Sequence, residues 1–126
     1  MRHVPVDPSK LALQRLYHWE KTAPDRVVLT QPMGGGVTND FTWAQVMDQS
    51  RRMAAHLQAQ GIQSGDKVAL ISKNTAWWLM ADFAIWLAGG VSVPLYPTLA
   101  AETIRQILTH SEAKLLFVGK LDGWDA

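Results

Sequence analysis

The chain has no cysteine in its 126 residues. That excludes disulfides, thiolate catalysis and cysteine-based zinc or iron–sulfur sites, and it fits a reducing compartment. Excess charge of either sign is also missing. Twelve Lys and Arg against eleven Asp and Glu leave a formal net charge of +1, with no basic block anywhere. Such a balance makes no electrostatic case for nucleic acid or an anionic membrane surface. Nor is there a run long enough to span a bilayer. The most apolar stretch, Ala76 to Ala88, would make a helix of about 13 residues and roughly 20 Å, and it carries Asp82. A membrane needs about 20 apolar residues, so this is expected to be a buried helix, with no transmembrane segment. The opening MRHVPVDPSK has two prolines and no apolar core, which argues against a secretory signal and for a cytoplasmic protein.

What is present suits one folded domain: 48% hydrophobic residues and 18% charged. Its centre is the stretch Asp66 to Pro97. Val68 to Ile71 form an apolar run after the turn pair Gly65-Asp66, as in a strand buried on both faces. Asn74 or Thr75 can cap a following helix that carries apolar residues on nearly every side and ends at Gly89-Gly90. Val91 to Pro94 then make a second short strand, with Pro94 as its stop. Two strands joined by a helix predict a right-handed parallel crossover.

In chain order, a leader at about 1–9 precedes an amphipathic helix carrying Leu11, Leu13, Leu16, Tyr17 and Trp19, stopped by Pro24. Arg26 to Thr30 and Val37 to Thr42 read as an antiparallel hairpin whose longer loop is Pro32 to Gly36. The triple glycine 34–36 is a turn and not a phosphate cradle, because no helix and no Lys-Ser or Lys-Thr pair follows it. Thr42 and Gln45 form a capping box for a helix near Trp43 to Gln60, whose inner face is Val46, Met47, Met53, Ala54 and Leu57. After the central unit, Thr98 is the expected cap of a helix near Ala100 to His110 with Ile104, Ile107 and Leu108 inward, and Lys114 to Val118 is a last buried strand. The fold class is therefore α/β: a partial three-layer sheet with a βαβαβ parallel core at 66–120, preceded by helix, hairpin and helix at 10–65.

A sheet of this kind holds ligands at the carboxyl ends of its strands. Those ends are Ser72-Lys73-Asn74, Leu95-Tyr96-Pro97-Thr98 and Gly119-Lys120, all ordinary residues; Lys73 and Lys120 are the candidates to meet a phosphate. His3, His18, His56 and His110 fall in four different elements without the i, i+4 pairing that grips a metal. Asp66 belongs to a turn and Glu102 to a first helical turn. Asp82, amid Trp78, Met80, Phe83 and Trp86, is expected to face outward or be capped. The six tryptophans are not interleaved with Lys or Arg, as a base-stacking surface requires, and are expected mostly in the core.

Several of these segments resemble the conserved blocks of the adenylate-forming (AMP-binding) enzyme superfamily. Phe41 to Val46, FTWAQV, is similar to its first motif. Gly65 to Leu70, Asn74 with Trp77, and Trp86 to Thr98, WLAGGVSVPLYPT, resemble the next ones. The Pro-Leu-Tyr-Pro-Thr ending, then Ile104, Leu108 and Ser111 to Lys114, is most similar to long-chain fatty acyl-CoA synthetases. The likeness runs from about Leu11 to Val118.

That resemblance implies the N-terminal part of a large AMP-binding domain. Its parent would activate a fatty acid with ATP and Mg2+ to an acyl adenylate, then pass the acyl group to CoA. The implied partners are the remainder of that domain, a C-terminal domain and the fatty acid, in a cytoplasmic and possible membrane-peripheral parent; none is a nucleic acid. The family's phosphate loop, adenine-binding stretch, ribose-holding acid and C-terminal lysine have no match between Met1 and Ala126. No catalytic, cofactor-binding or metal residue is therefore assigned, no cofactor is expected bound to this piece, and the piece alone is expected to be inactive. The end at Asp125-Ala126, soon after a strand, is expected of a truncated domain, and such a domain is expected to self-associate through uncovered apolar surface. Two alternatives stand beside this reading: an aryl- or amino-acid-activating member of the superfamily, and a non-catalytic α/β binding or assembly module.

Overall fold

The computed structural model describes residues 2–122, so Met1 and residues 123–126, which include Trp124 and the terminal Asp125-Ala126 pair, lie outside the described residues. The chain divides into two compact units, 1–48 and 49–126.

In the first unit a 3-10 turn, Pro8–Lys10, leads into helix α1, Ala12–Thr22. Asp7 starts the turn by accepting the Ser9 N–H at 3.0 Å. Strands β1, Val27–Gly34, and β2, Val37–Thr42, pair antiparallel as expected. The loop is shorter than the sequence suggested. Pro32 pairs with Thr38 and Gly34 with Val37, so only Gly35 and Gly36 turn the chain. Their φ values of 60° and 78° are what a tight hairpin needs at both central positions. Pro32 is tolerated because this is a two-stranded ribbon, interrupted by a register shift between Pro32 and Gly34. Helix α2, Trp43–Ala59, opens with the expected capping box: the Thr42 N–H donates to Gln45 Oε1 at 2.8 Å, and the Gln45 N–H donates to Thr42 Oγ1 at 3.2 Å.

The second unit is three-layered. Strands β3, Lys67–Ile71, β4, Val91–Leu95, and β5, Leu115–Val118, lie in the order β4-β3-β5, all parallel. Helix α3, Ala76–Leu87, and helix α4, Ala101–Ser111, make the two crossovers. One face of the sheet packs Val68, Leu115 and Phe117 with Ala54 and Leu57 of α2 and Ala84, Ile85 and Ala88 of the α3 segment. The other packs Ala69, Ile71, Val93, Leu95 and Leu116 with Ile104, Ile107 and Leu108 of α4. Val68 to Ile71 are all buried, which is why that strand reads as an unbroken apolar run.

Four further sequence expectations need correction. Pro94 does not stop β4, which continues to Leu95. The Val91 N–H donates to the Asp66 carbonyl at 2.8 Å, and the alternation of a parallel ladder then turns the Pro94 backbone to the outer edge, where a missing N–H costs no ladder bond. Thr98 is not the cap of α4; Ala100 holds that position without a side-chain bond. Met53 lies off the buried stripe of α2 and is 38% exposed. The tryptophans are not core: Trp19, Trp43, Trp78 and Trp86 are half-buried, and Trp77 is 44% exposed. The buried positions of α3 are Ala76, Met80, Ala84 and Ile85, of which Ala84 and Ile85 pack against the sheet, while the larger rings stay partly exposed.

Candidate functional site

The carboxyl ends of the three strands lie side by side, with Ile71 registered against Leu95 on one side and Val118 on the other. Adjacent strands sit about 4.8 Å apart. The expected segments after β3 and β5 are brought together, by backbone contacts. The Gly119 N–H donates to the Ile71 carbonyl at 2.9 Å, and the Lys73 N–H donates to the Lys120 carbonyl at 2.7 Å. Ser72, only 3% exposed, completes the closure. Its Oγ accepts the Lys120 N–H at 3.0 Å and donates to the Lys73 carbonyl at 2.7 Å.

This junction has no spare room. A Cβ on Gly119 would lie 2.3 Å from Ser72 Oγ and 2.5 Å from Ser72 Cβ, so glycine is required there by space. Lys73 Nζ meets Asp122 Oδ2 at 2.5 Å in a largely exposed ion pair. Lys120 is exposed, as are Tyr96 and Thr98 beyond β4. Tyr96 is 77% exposed. What the arrangement can do chemically is hold a rigid edge of backbone. Catalysis usually owes most to preorganised groups that stabilise developing charge, and among the described residues the junction gathers no set of amides, metal ligands and free cations of that kind.

Thr75 caps α3 by accepting the Trp78 N–H at 3.1 Å, which settles the choice between Asn74 and Thr75. At the opposite end of the sheet, Asp66 Oδ2 accepts the Gln63 N–H at 2.7 Å and its Oδ1 meets Lys114 Nζ at 2.9 Å. The backbone bond from Gln63 chiefly, and then Lys114, hold the Asp66 carboxyl below the usual carboxylate range. His3, His18, His56 and His110 are all exposed, and among the described residues no group of three or more metal-ligating side chains converges. Asp82 is half-buried beside Trp86 and Ser92, along the outer edge of β4. Sequence reasoning missed two residues here, Asp122 and Ser92. Asp122 reaches Lys73 only through the pairing of β3 with β5, and nothing local marks Ser92 as buried.

Comparison with known proteins places this geometry. The AMP-binding enzyme family matches residues 16–126. A long-chain-fatty-acid–CoA ligase, FadD15 of Mycobacterium bovis, is 39% identical over 102 residues, which cover 81% of this chain and 17% of that enzyme. Peroxisomal benzoate–CoA ligase of Arabidopsis thaliana is 36% identical over 80 residues, 64% of this chain and 14% of that enzyme. Among solved structures, O-succinylbenzoate coenzyme A synthetase of Bacillus subtilis, in complex with AMP, matches with a TM-score of 0.73 at 27% identity. It covers 80% of this chain and 25% of that one. The chain thus spans about a sixth of the length of the curated relatives it matches. No described helix is long and apolar enough to cross a membrane. With its family blocks laid out on a parallel α/β unit, and with the family's signature over most of its length, the chain belongs to the AMP-binding enzyme family.

Proposed function

We propose that this chain is the N-terminal part of the large domain of an AMP-forming acyl-CoA ligase, and that the parent activates a long-chain fatty acid. In that reading ATP and Mg2+ serve the adenylation step and CoA accepts the acyl group. The observation that carries it is the 39% match to a long-chain-fatty-acid–CoA ligase over 102 residues. The role of residues 16–126 is scaffold: β3, β4 and β5 align their carboxyl ends, and Ser72 with Gly119 locks two of them. The reactive groups would come from the remainder of the domain and a C-terminal domain. A cytoplasmic setting goes with this reading.

A second reading is supported by the matches to benzoate and O-succinylbenzoate ligases, which make an aromatic acid the competing substrate class. The test is to assay the full product of the gene encoding this chain for pyrophosphate release with ATP, Mg2+, CoA and a panel of fatty, aryl and amino acids. Turnover highest with long fatty acids is the expected result. A preference for aryl or amino acids would replace the substrate class, and no adenylation with any acid would sink the proposal. The 126-residue chain alone should release no pyrophosphate. Release that Lys73→Ala or Lys120→Ala abolished would overturn its assignment as scaffold.

A further inference from the structure

The two crossover helices of the parallel sheet turn different faces outward. On α4 the outward residues Glu102, Arg105, Gln106 and Thr109 are all exposed, and the Arg105 guanidinium donates to Glu102 at 3.0 and 2.7 Å. That is a face built for water. Helix α3 buries Ala76, Met80, Ala84 and Ile85. At about 100° per residue, the positions opposite this stripe are Trp78, Asp82 and Trp86, with Leu79 beside them. The first three are half-buried and Leu79 is 36% exposed. Trp86 also packs on half-buried Phe83, with ring centroids 5.6 Å apart. A helix that is apolar all round belongs where both of its faces are covered, and a contiguous apolar patch of this kind marks an interface.

The charge on this face says what covers it. Asp82 is the one charged residue of α3 and sits at the centre of the outer stripe. Among the described residues it makes no hydrogen bond or ion pair, and no Lys, Arg or His lines the concavity beside it. Covering the face takes the carboxylate out of water, which is costly unless the cover brings a cation to it. A second copy of α3 brings none, and a twofold axis would set Asp82 against Asp82. A membrane surface does not suit the helix either, because interfacial helices carry Lys or Arg on their polar face and α3 has neither.

We propose that the outer face of α3 is an internal interface of the parent, covered by an apolar surface from the remainder of its large domain that sets one Arg or Lys against Asp82. This rests on the reading of the chain as part of a larger AMP-binding domain and goes beyond it in assigning the face and the chemistry of its cover. Asp82→Leu in the full product of the gene is the deciding change. Leucine suits an apolar interface, so with no cation opposite position 82 it raises the urea midpoint, whereas a cation left buried and unpaired lowers it. The expected result is a lower midpoint. Asp82→Asn, of nearly the same shape, should lower it as well, which separates loss of charge from misfit. In the 126-residue chain, where no cation faces Asp82, Asp82→Leu should leave the midpoint unchanged or higher. Carbodiimide labelling of the native full product, read by mass spectrometry, should modify Asp82 severalfold more slowly than after unfolding in urea. An unchanged or higher midpoint for Asp82→Leu in the full product would overturn the proposal, and so would native Asp82 labelling as fast as in the unfolded protein. The pyrophosphate assay is independent of both: a full product that adenylates no acid yet protects Asp82 and loses stability with Asp82→Leu and Asp82→Asn would sink the acyl-ligase reading and leave this interface standing.

Discussion

The two ends of the parallel sheet are closed by different physics. At the carboxyl end, β3 and β5 are joined by contact so close that Gly119 rests on Ser72, with three backbone N–H groups, those of Gly119, Lys73 and Lys120, directed across the junction. At the amino end the tie is electrostatic: Asp66 accepts the Gln63 N–H and meets Lys114, a lysine whose side chain is 58% exposed. Backbone also contributes there, through the Gly65 N–H to the Gly89 carbonyl at 2.8 Å and the Lys114 N–H to the Lys67 carbonyl at 2.9 Å. Close packing tolerates no added atom, whereas an exposed ion pair is screened and tolerates a good deal. The carboxyl end is where an α/β sheet presents ligands, so the rigidity sits where a scaffold for chemistry would need it.

The largest expected effect is therefore at Gly119. Gly119→Ala forces a methyl group into Ser72, which is buried and cannot give way, and overpacking of this kind costs roughly 1–3 kcal/mol. A lower urea midpoint at unchanged slope is the measurement. Ser72→Gly combined with Gly119→Ala should be less destabilised than the sum of the single changes, because the two sites share the same space. A neutral Gly119→Ala would break the contrast between the two ends. Thr75→Ala comes next. It removes the cap of α3, just beyond the end of β3, at a cost of about 1 kcal/mol, and Thr75→Ser should restore most of it. Smaller again is Lys73→Ala, because its ion pair with Asp122 is largely exposed and such pairs are worth under about 1 kcal/mol. A loss well above that would mean that charge holds the carboxyl end as well.

How much of this was legible in the chain depended on the range of the cause. The capping box at Thr42 and Gln45 and the apolar run of β3 are local, and both stand where the sequence put them. The parallel order followed from strands too far apart to form a hairpin. The hairpin turn was misread because Gly34 looked like loop, yet it pairs with Val37. Thr98 looked like a cap by type, although the helix begins two residues too late for it to serve. The tryptophans of α3 misled for another reason. A helix that is apolar all round does not reveal which face its sheet will cover, and here aliphatic residues take that face. Least legible was the junction itself. Ser72 and Lys120 are 48 residues apart, and no local pattern announces their contact.

The smallest expected effect belongs to the amino end, and its signature is pH. The pKa of Asp66 in the folded chain is lowered, first by the backbone bond from Gln63 and then by Lys114. In the unfolded chain the group titrates near an ordinary value, about 3.9. A depressed folded value means that the ionised carboxylate stabilises the fold in full above the unfolded pKa, and that this contribution is lost as pH falls through the folded one. Asp66→Asn keeps an oxygen to accept the Gln63 N–H but carries no charge. The stability gap between the parent chain and this variant should hold steady from neutral pH down to about pH 4, then close as the parent's carboxylate takes up its proton. Urea unfolding of both proteins at a series of pH values measures it, and added salt should narrow the gap at neutral pH by screening Lys114. A gap that stayed open at the acid end would show that the shape of the Gln63–Asp66 turn, and not its charge, ties the amino end. The two ends of the sheet would then be held by the same kind of force.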